Sequence, residues 1–402
     1  MKNTIILNQA PHGIGPILRT AEMAQDLYHM LKAGGKETVL LITEPEKPFI
    51  KNILMNETYA NDEFLDSVWV SPEYGAIVNA FDYSSSDYVD RLENIAANRQ
   101  NLEQRLGQVL SQGMDAYRLV NPEEERTFTY DDILCEINHN PIVRTNFNRS
   151  HPSFYTTIGL FSEILKNAKD VNPSYLNPEL QRLVKACIHE ANVVEDGQTL
   201  LMIAEPSAMT YRGDKILQSR FRDIPPFIRP PEGNTDILKD GIYLNISGID
   251  SVKKQIVSLA QPFIDAGFAV YYPPSYEEGI ENGTKMSPVN NGVSIFSNPA
   301  IIAAVGRMGW SSVWEPMMNG NPFITYEYSQ EEDPEMHHNV RTLEEKGLGL
   351  VMKLGDNPKD IMEKALNLKS GIIDYVKELK QRYGTLNGIA FAANLTFEEL
   401  RK

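Results

Sequence analysis

Residues 298–325 read NPAIIAAVGRMGWSSVWEPMMNGNPFIT. The segment opens on an apolar run that ends at Gly306, as a buried strand would, and a polar turn holding Gly309, Ser311 and Ser312 follows. A helix then carries Trp314, Glu315 and Met317-Met318 and exits at Asn319-Gly320, and the chain restarts as a strand at Pro322. Two strands joined by a helix need a crossover, and a crossover joins parallel strands. The stretch therefore predicts an α/β architecture.

The same alternation extends in both directions. Upstream, Gly241 to Ser247 reads as a strand, Val252 to Ala266 as a helix and Ala269 to Tyr272 as the next strand. At the N-terminus, Thr4 to Leu7 is a short apolar run, Ile17 to Leu31 has helical periodicity, and Thr38 to Thr43 is apolar again after the helix-ending pair Gly34-Gly35. That opening predicts a doubly wound sheet. Asp87 to Leu119 and Asn172 to Ala191 are charged and helical, with a less regular stretch between them, and Thr199 to Ala204 is a further strand. Two proline pairs between Ile224 and Asn234 cannot continue a helix or a central strand, so this stretch reads as a linker. With 402 residues the chain exceeds the roughly 250–300 at which one core stops growing. The expected division is residues 1–225, residues 226–375 and a helical tail, 376–402, packing back on the first domain.

Hydrophobic residues make up 42% and charged residues 23%, the balance of a globular chain that folds over most of its length. A net charge of -16 argues against nucleic acid or anionic lipid as partner, so any anion site must be local. The N-terminal apolar run breaks at Asn8, short of a signal segment or a membrane span. Cys135 and Cys187 have no metal-ligand spacing and form no disulfide framework. The expectation is a soluble cytoplasmic protein.

The chemistry concentrates where the chain turns into the helix after Gly309. Small and hydroxylated residues at a helix N-terminus let backbone N–H groups approach an anion, and the helix dipole favours negative charge there. Glu315, about one turn inside, is placed to accept hydrogen bonds from ribose hydroxyls. Ser-Ser before a helix also reads as an N-cap, and an early Glu as a complement to the dipole.

Residues 298–320 resemble the donor-binding signature of nucleotide-sugar-dependent glycosyltransferases, above all the UDP-glycosyltransferases. In that signature an H-P-A run leads to H-C-G-W-N-S-T-x-E and then G-x-P. The register holds without a gap: Asn298-Pro299-Ala300, Gly309-Trp310, Ser312, Glu315, and Gly320 with Pro322 fall on the family's positions. Asn339 and LEEKGLGL, residues 343–350, resemble the asparagine and the glycine-rich turn that follow. Arg307 stands where the family has a phosphate-binding His, and a guanidinium suits phosphate. Ser311 stands where many plant members have Asn. The family's sugar-contacting pair falls near Glu331 and Glu332, with Gln330 before the acids instead of after them. The resemblance implies a GT-B fold, two Rossmann-like domains facing each other across a cleft. It also implies a UDP- or dTDP-sugar as donor, transfer of the sugar to a small-molecule or glycan acceptor with inversion, and no required metal or cofactor.

Further toward the N-terminus, NQAPHGIGPILRTAEMAQDL resembles the family's first loop, with Gly13 and Gly15 flanking the approach to the cleft. Inverting members place a catalytic His there; the alignment puts Gly13 on that position and His12 one residue before it. His12 follows the first strand, has a suitable pKa, and is the candidate base; a turn-stabilising His is the other reading. Arg19 reads as a surface or rim charge. His139 and His151 read as members of a solvated polar loop, and His337-His338 as exposed loop residues. Phe147, Phe154 and Tyr155 are candidates for an acceptor pocket or for core. Asp131-Asp132 is no metal motif. A nucleotide-sugar 2-epimerase and an inactive GT-B-like binding or accessory protein remain open beside the transferase.

Overall fold

The computed structural model describes residues 3–8, 14–43, 63–79, 88–139, 141, 143–145, 151–207, 220–230, 233, 238–246, 250–273, 276, 278–286, 295–328, 333–353 and 355–402. These group into two units. The first takes the chain up to Ala204, a strand ending at Ile224, and Ile389–Lys402. The second takes Pro225–Gly388 and the short piece that begins at Glu205.

The first unit holds β1 (Thr4–Asn8), β2 (Val39–Thr43), β3 (Val68–Ser71), β4 (Met114–Arg118), β5 (Glu125–Phe128), β6 (Ile133–Asn138), β7 (Ser153–Thr157), β8 (Leu200–Ala204) and β9 (Phe221–Ile224). They form one sheet in the order β5-β4-β3-β2-β1-β6-β7-β8-β9. β1, β7 and β8 are buried along their whole length, as parallel strands covered on both faces must be. Among the described residues only the β3/β4 and β4/β5 pairings are antiparallel.

That edge corrects the sequence reading, which ran the helical pattern on to Leu119. The helix Tyr88–Gln112 stops at Gly113, whose φ of 111° a side chain would strain, and the chain turns back as β4. Likewise the helical stretch from Asn172 begins as a short turn, and the long helix is Pro178–Asp196, capped by the Asn177 side chain on the N–H of Glu179. Leu92, Ile95, Leu102, Leu106 and Leu110 recur at helical spacing and share one core with Val184 and Cys187. Both cysteines are free and buried.

The second unit holds β10 (Gly241–Asn245), β11 (Ala269–Tyr272), β12 (Thr284–Lys285), β13 (Ile301–Gly306), β14 (Phe323–Tyr326) and β15 (Gly349–Met352). All pairings are parallel, in the order β12-β11-β10-β13-β14-β15. Counted from β10, this is the 3-2-1-4-5-6 order of dinucleotide-binding sheets. Gly349 is required by close approach: a Cβ there would stand 1.9 Å from the Phe323 carbonyl oxygen. The amphipathic helix Pro358–Tyr383 buries Ile361, Met362 and Ala365 in this unit's core and ends at Gly384, with φ of 72°. Among the described residues no helix is long and apolar enough to cross a membrane.

Candidate functional site

In the second unit the strand order reverses at β10, with β11 and β12 on one side and β13 to β15 on the other. Open α/β sheets take ligands in the crevice outside the carboxyl ends of the strands flanking such a reversal. β10 and β13 pair through to Asn245 and Gly306, and a Cβ on Gly306 would meet the Asn245 carbonyl oxygen at 2.8 Å. The chain leaves β13 as Arg307-Met308-Gly309 and enters the helix Trp310–Met317. The motif read from sequence thus stands at the switch point.

Gly309 is the helix N-cap, with extended backbone and no side-chain cap, and its carbonyl accepts from the N–H groups of Ser312 (2.9 Å) and Val313 (3.2 Å). The N–H groups of Trp310 and Ser311 lie in the first turn, where no intrahelical acceptor exists and the dipole is positive. Ser311, Ser312 and Glu315 are half-buried, while Trp310, Val313, Trp314 and Met317 are buried. Ser311 and Glu315 are four apart and so share a face. Two hydroxyls and a carboxylate therefore line the accessible side of the helix end, and Arg307, also half-buried, precedes it.

The loop is pinned from beneath. The indole N–H of Trp310 donates to Asn339 Oδ1 at 2.6 Å, and Asn339 Nδ2 donates to the Met308 carbonyl (3.0 Å) and Glu335 Oε1 (3.2 Å). The indole of Trp314 donates to the Pro206 carbonyl at 2.9 Å, and the Met308 N–H donates to the Tyr328 hydroxyl. Burial pushes the Tyr328 phenol above its ordinary pKa, opposed by that N–H and by the Arg307 charge. Tyr243 on β10 is raised by burial and then by the Glu315 carboxylate, which therefore lies within electrostatic reach of the central strand. Asn339→Ala leaves the buried Trp310 N–H without an acceptor and is expected to lose about 1–3 kcal/mol of stability. Chemical denaturation followed by tryptophan fluorescence measures it; an unchanged midpoint would contradict this account of the loop.

Trp310, expected to bind the donor, turns its ring into the core at 2% exposure, so its backbone N–H is what it can offer a ligand. Asn298 is likewise structural: its Oδ1 accepts from the Ala300 N–H at 3.0 Å. Gly15, expected in a loop, lies inside the helix Ile14–Ala33, which begins earlier than the apolar periodicity indicated. His12, Gly13, Glu331, Glu332 and Phe147 lie outside the described residues. Arg19 is not a surface charge: it is 4% exposed and paired with Glu22 at 3.0 Å. His337 and His338 belong to the helix Pro334–Glu345, whose start the Asp333 side chain caps by accepting from the Glu335 N–H, and His338 is buried. Phe154 and Tyr155 are core residues of β7. Among the described residues no three His, Cys, Asp or Glu side chains cluster as metal ligands would.

The reading of His139 and His151 as a solvated loop is overturned. The first unit's sheet reverses between β1 and β6, and these strands pair through to Asn8 and Asn138. Beneath that point Glu136 is fully buried and accepts from Asn8 Nδ2 (2.9 Å), the Thr145 N–H (2.8 Å) and Ser153 Oγ (2.8 Å). Burial raises its pKa against these hydrogen bonds. Thr145 Oγ1 contacts Nε2 of buried His151 at 3.2 Å. His139 follows β6 directly, half-buried, and burial lowers its pKa to about 4. Sequence pattern missed this network and Tyr328, since neither carries a spacing signal.

No protein-family model matches the chain, and no curated protein matches it. Solved structures share its fold. A UDP-glucosyltransferase from Polygonum tinctorium capable of glucosylating indoxyl is 12% identical, with a TM-score of 0.63, over 100% of this chain and 99% of that one. A UDP-glucose:anthocyanidin 3-O-glucosyltransferase solved with UDP is 11% identical, with a TM-score of 0.61 and coverage of 100% and 99%. The glycosyltransferase SnogD from Streptomyces nogalater is 12% identical, with a TM-score of 0.55 and full coverage of both chains. The chain has the GT-B fold, with two parallel-sheet units, and in fold it resembles these glycosyltransferases.

Proposed function

We propose that the protein transfers a sugar from a nucleotide-diphosphate sugar, a UDP- or dTDP-sugar, to a hydroxyl-bearing acceptor, with inversion at the anomeric carbon. The observation that carries this reading is the position of the donor-like motif at the carboxyl end of β13, beside the central strand of a 3-2-1-4-5-6 sheet. In this reading the first-turn N–H groups of Trp310 and Ser311, with the Ser312 hydroxyl, receive the diphosphate, and Arg307 neutralises the charge that grows on it as the sugar leaves. Gly309 lets the phosphates approach the backbone. Glu315 accepts the ribose hydroxyls, and Glu331 and Glu332 are the candidates for the sugar. The acceptor's proton must go to a base, for which His12 is the candidate from sequence.

The donor half is tested without knowing the acceptor. Nucleoside diphosphates and their sugars are screened for thermal stabilisation of the native chain and of Glu315→Ala. A ligand at about 100 times its Kd stabilises the folded state by about 2.7 kcal/mol. Loss of the carboxylate is expected to weaken binding by about 1.5–3 kcal/mol, roughly 10- to 100-fold, and so to erase about half of the shift or more. If no nucleotide raises the melting temperature, the donor site is refuted.

A further inference from the structure

We propose that His139, and not His12, takes the proton from the acceptor; this rests on the transferase reading above. Its backbone N–H donates to the Asn8 carbonyl at 2.9 Å, so the residue bridges the ends of β1 and β6 where the first unit's strand order reverses. That is the place at which such a sheet presents groups to a ligand.

The ring is tethered in one tautomer. Nδ1 lies 2.6 Å from the Thr156 carbonyl oxygen on β7, and a carbonyl only accepts. Nδ1 therefore carries the hydrogen, and Nε2 keeps its lone pair. Among the described residues Nε2 makes no hydrogen bond, and the residue is half-buried, so this lone pair is open to a ligand. A His held by a second group on its far nitrogen, with the near nitrogen presented as acceptor, is how an imidazole is oriented as a general base.

The backbone around it is equally constrained. Asn8 Nδ2 ties the end of β1 to Glu136 on β6 and to the Val143 carbonyl at 2.6 Å. β6 is held to β7 through Ser153. The three strands that carry the ring's two anchor points are thus locked together beneath it, which fixes the direction of Nε2. Burial also keeps the ring neutral at physiological pH, with its pKa near 4.

The step balances with no further reactant. The acceptor oxygen attacks the anomeric carbon and forms the new C–O bond, while its O–H bond breaks and the proton passes to Nε2. The bond from the anomeric carbon to the diphosphate oxygen breaks, and its electron pair leaves with the diphosphate.

The test uses a series of phenols as acceptors, from weakly acidic to one already ionised at the assay pH. The donor is UDP-glucose, or whichever nucleotide sugar stabilises the protein most. His139→Asn retains a side-chain N–H for the Thr156 carbonyl but lacks the Nε2 lone pair; His139→Ala removes both, and His12→Ala runs alongside. For protonated phenols, kcat/KM of His139→Asn and His139→Ala is expected to fall at least about 100-fold. For the ionised phenol, which needs no base, both should approach the native value. Both should keep the native melting shift with UDP, which separates loss of the base from loss of the donor site or of folding. An equal loss across the series, no loss, or an acidity-dependent loss in His12→Ala instead overturns the assignment. So does donor stabilisation with transfer to no phenol by the native chain. Absence of any donor stabilisation refutes the donor reading itself.

Discussion

Arg99→Ala is expected to destabilise the first unit by about 3–5 kcal/mol, the effect of leaving a buried ionic group without its partner. Arg99 is 3% exposed, in the middle of the helix Tyr88–Gln112. Its Nε donates to Glu190 Oε2 on the helix Pro178–Asp196, and its Nη1 to Glu103 Oε2 at 2.7 Å. Arg144 Nε donates to the other Glu103 oxygen at 3.0 Å. The guanidinium therefore compensates two carboxylates that water reaches poorly, and removing it leaves Glu190 without its cation and Glu103 with Arg144 alone. Amide hydrogen exchange gives a local measurement: protection along the helix should fall by roughly two to three and a half orders of magnitude, since about 1.4 kcal/mol is tenfold. Native protection in the variant would show that the pairing contributes nothing. Arg99→Met, which fills the volume without a charge, should lose a similar amount, because Glu190 is still left without its cation.

Glu136→Leu is expected to cost at least about 2 kcal/mol, because the Thr145 N–H and one hydrogen of the Asn8 amide lose their acceptor in a buried place, at about 1–3 kcal/mol apiece, while the Ser153 hydroxyl keeps Gln198 Oε1 and the Asn8 amide keeps the Val143 carbonyl. Glu136→Gln should cost less, since one carbonyl oxygen remains, and its deficit should depend on pH. Burial raises the folded pKa of Glu136 above that of the unfolded chain. The native contribution is thus fully present below about 4.5 and is lost as pH rises through the elevated folded value. The deficit of the Gln variant is accordingly largest at acid pH and narrows toward neutrality. Denaturation of both proteins across pH 4 to 8 reads this, and a deficit that widens with pH would reverse the sign and refute it.

The second unit was the more legible half. Ile301 to Gly306, the small residues after it and the restart at Pro322 are contiguous, so one window holds strand, loop, helix and strand, and the motif's spacing carries the register of its contacts. The first unit was less legible. Met114 to Phe128 is an antiparallel edge, but Gly113 inside a charged stretch is a weak signal, and the helical pattern ran over it.

Among individual residues, Trp310 and Asn339 were marked by the motif, but that they meet was not. Their contact spans 29 positions and exists only because the helix Pro334–Glu345 returns beneath the loop. Glu136, Asn8 and Ser153 carry no periodicity of their own, and polar residues in a short strand look solvated until the sheet places them together. His139 read as a loop residue for the same reason.

Apolar period, turn residues and motif spacing are local properties, and through them the sequence by itself determined two α/β units, the strand-loop-helix at residues 301–317, and Ser311, Ser312 and Glu315 as neighbours on one helix face. Only the tertiary structure decided that β10 and β13 flank the reversal of one sheet and β1 and β6 that of the other. It alone decided that Trp310 points inward, and that His139 hangs between Asn8 and Thr156. Those outcomes depend on which strands lie side by side, a choice made by burying whole faces of helices and sheets together, and no window along the chain contains it.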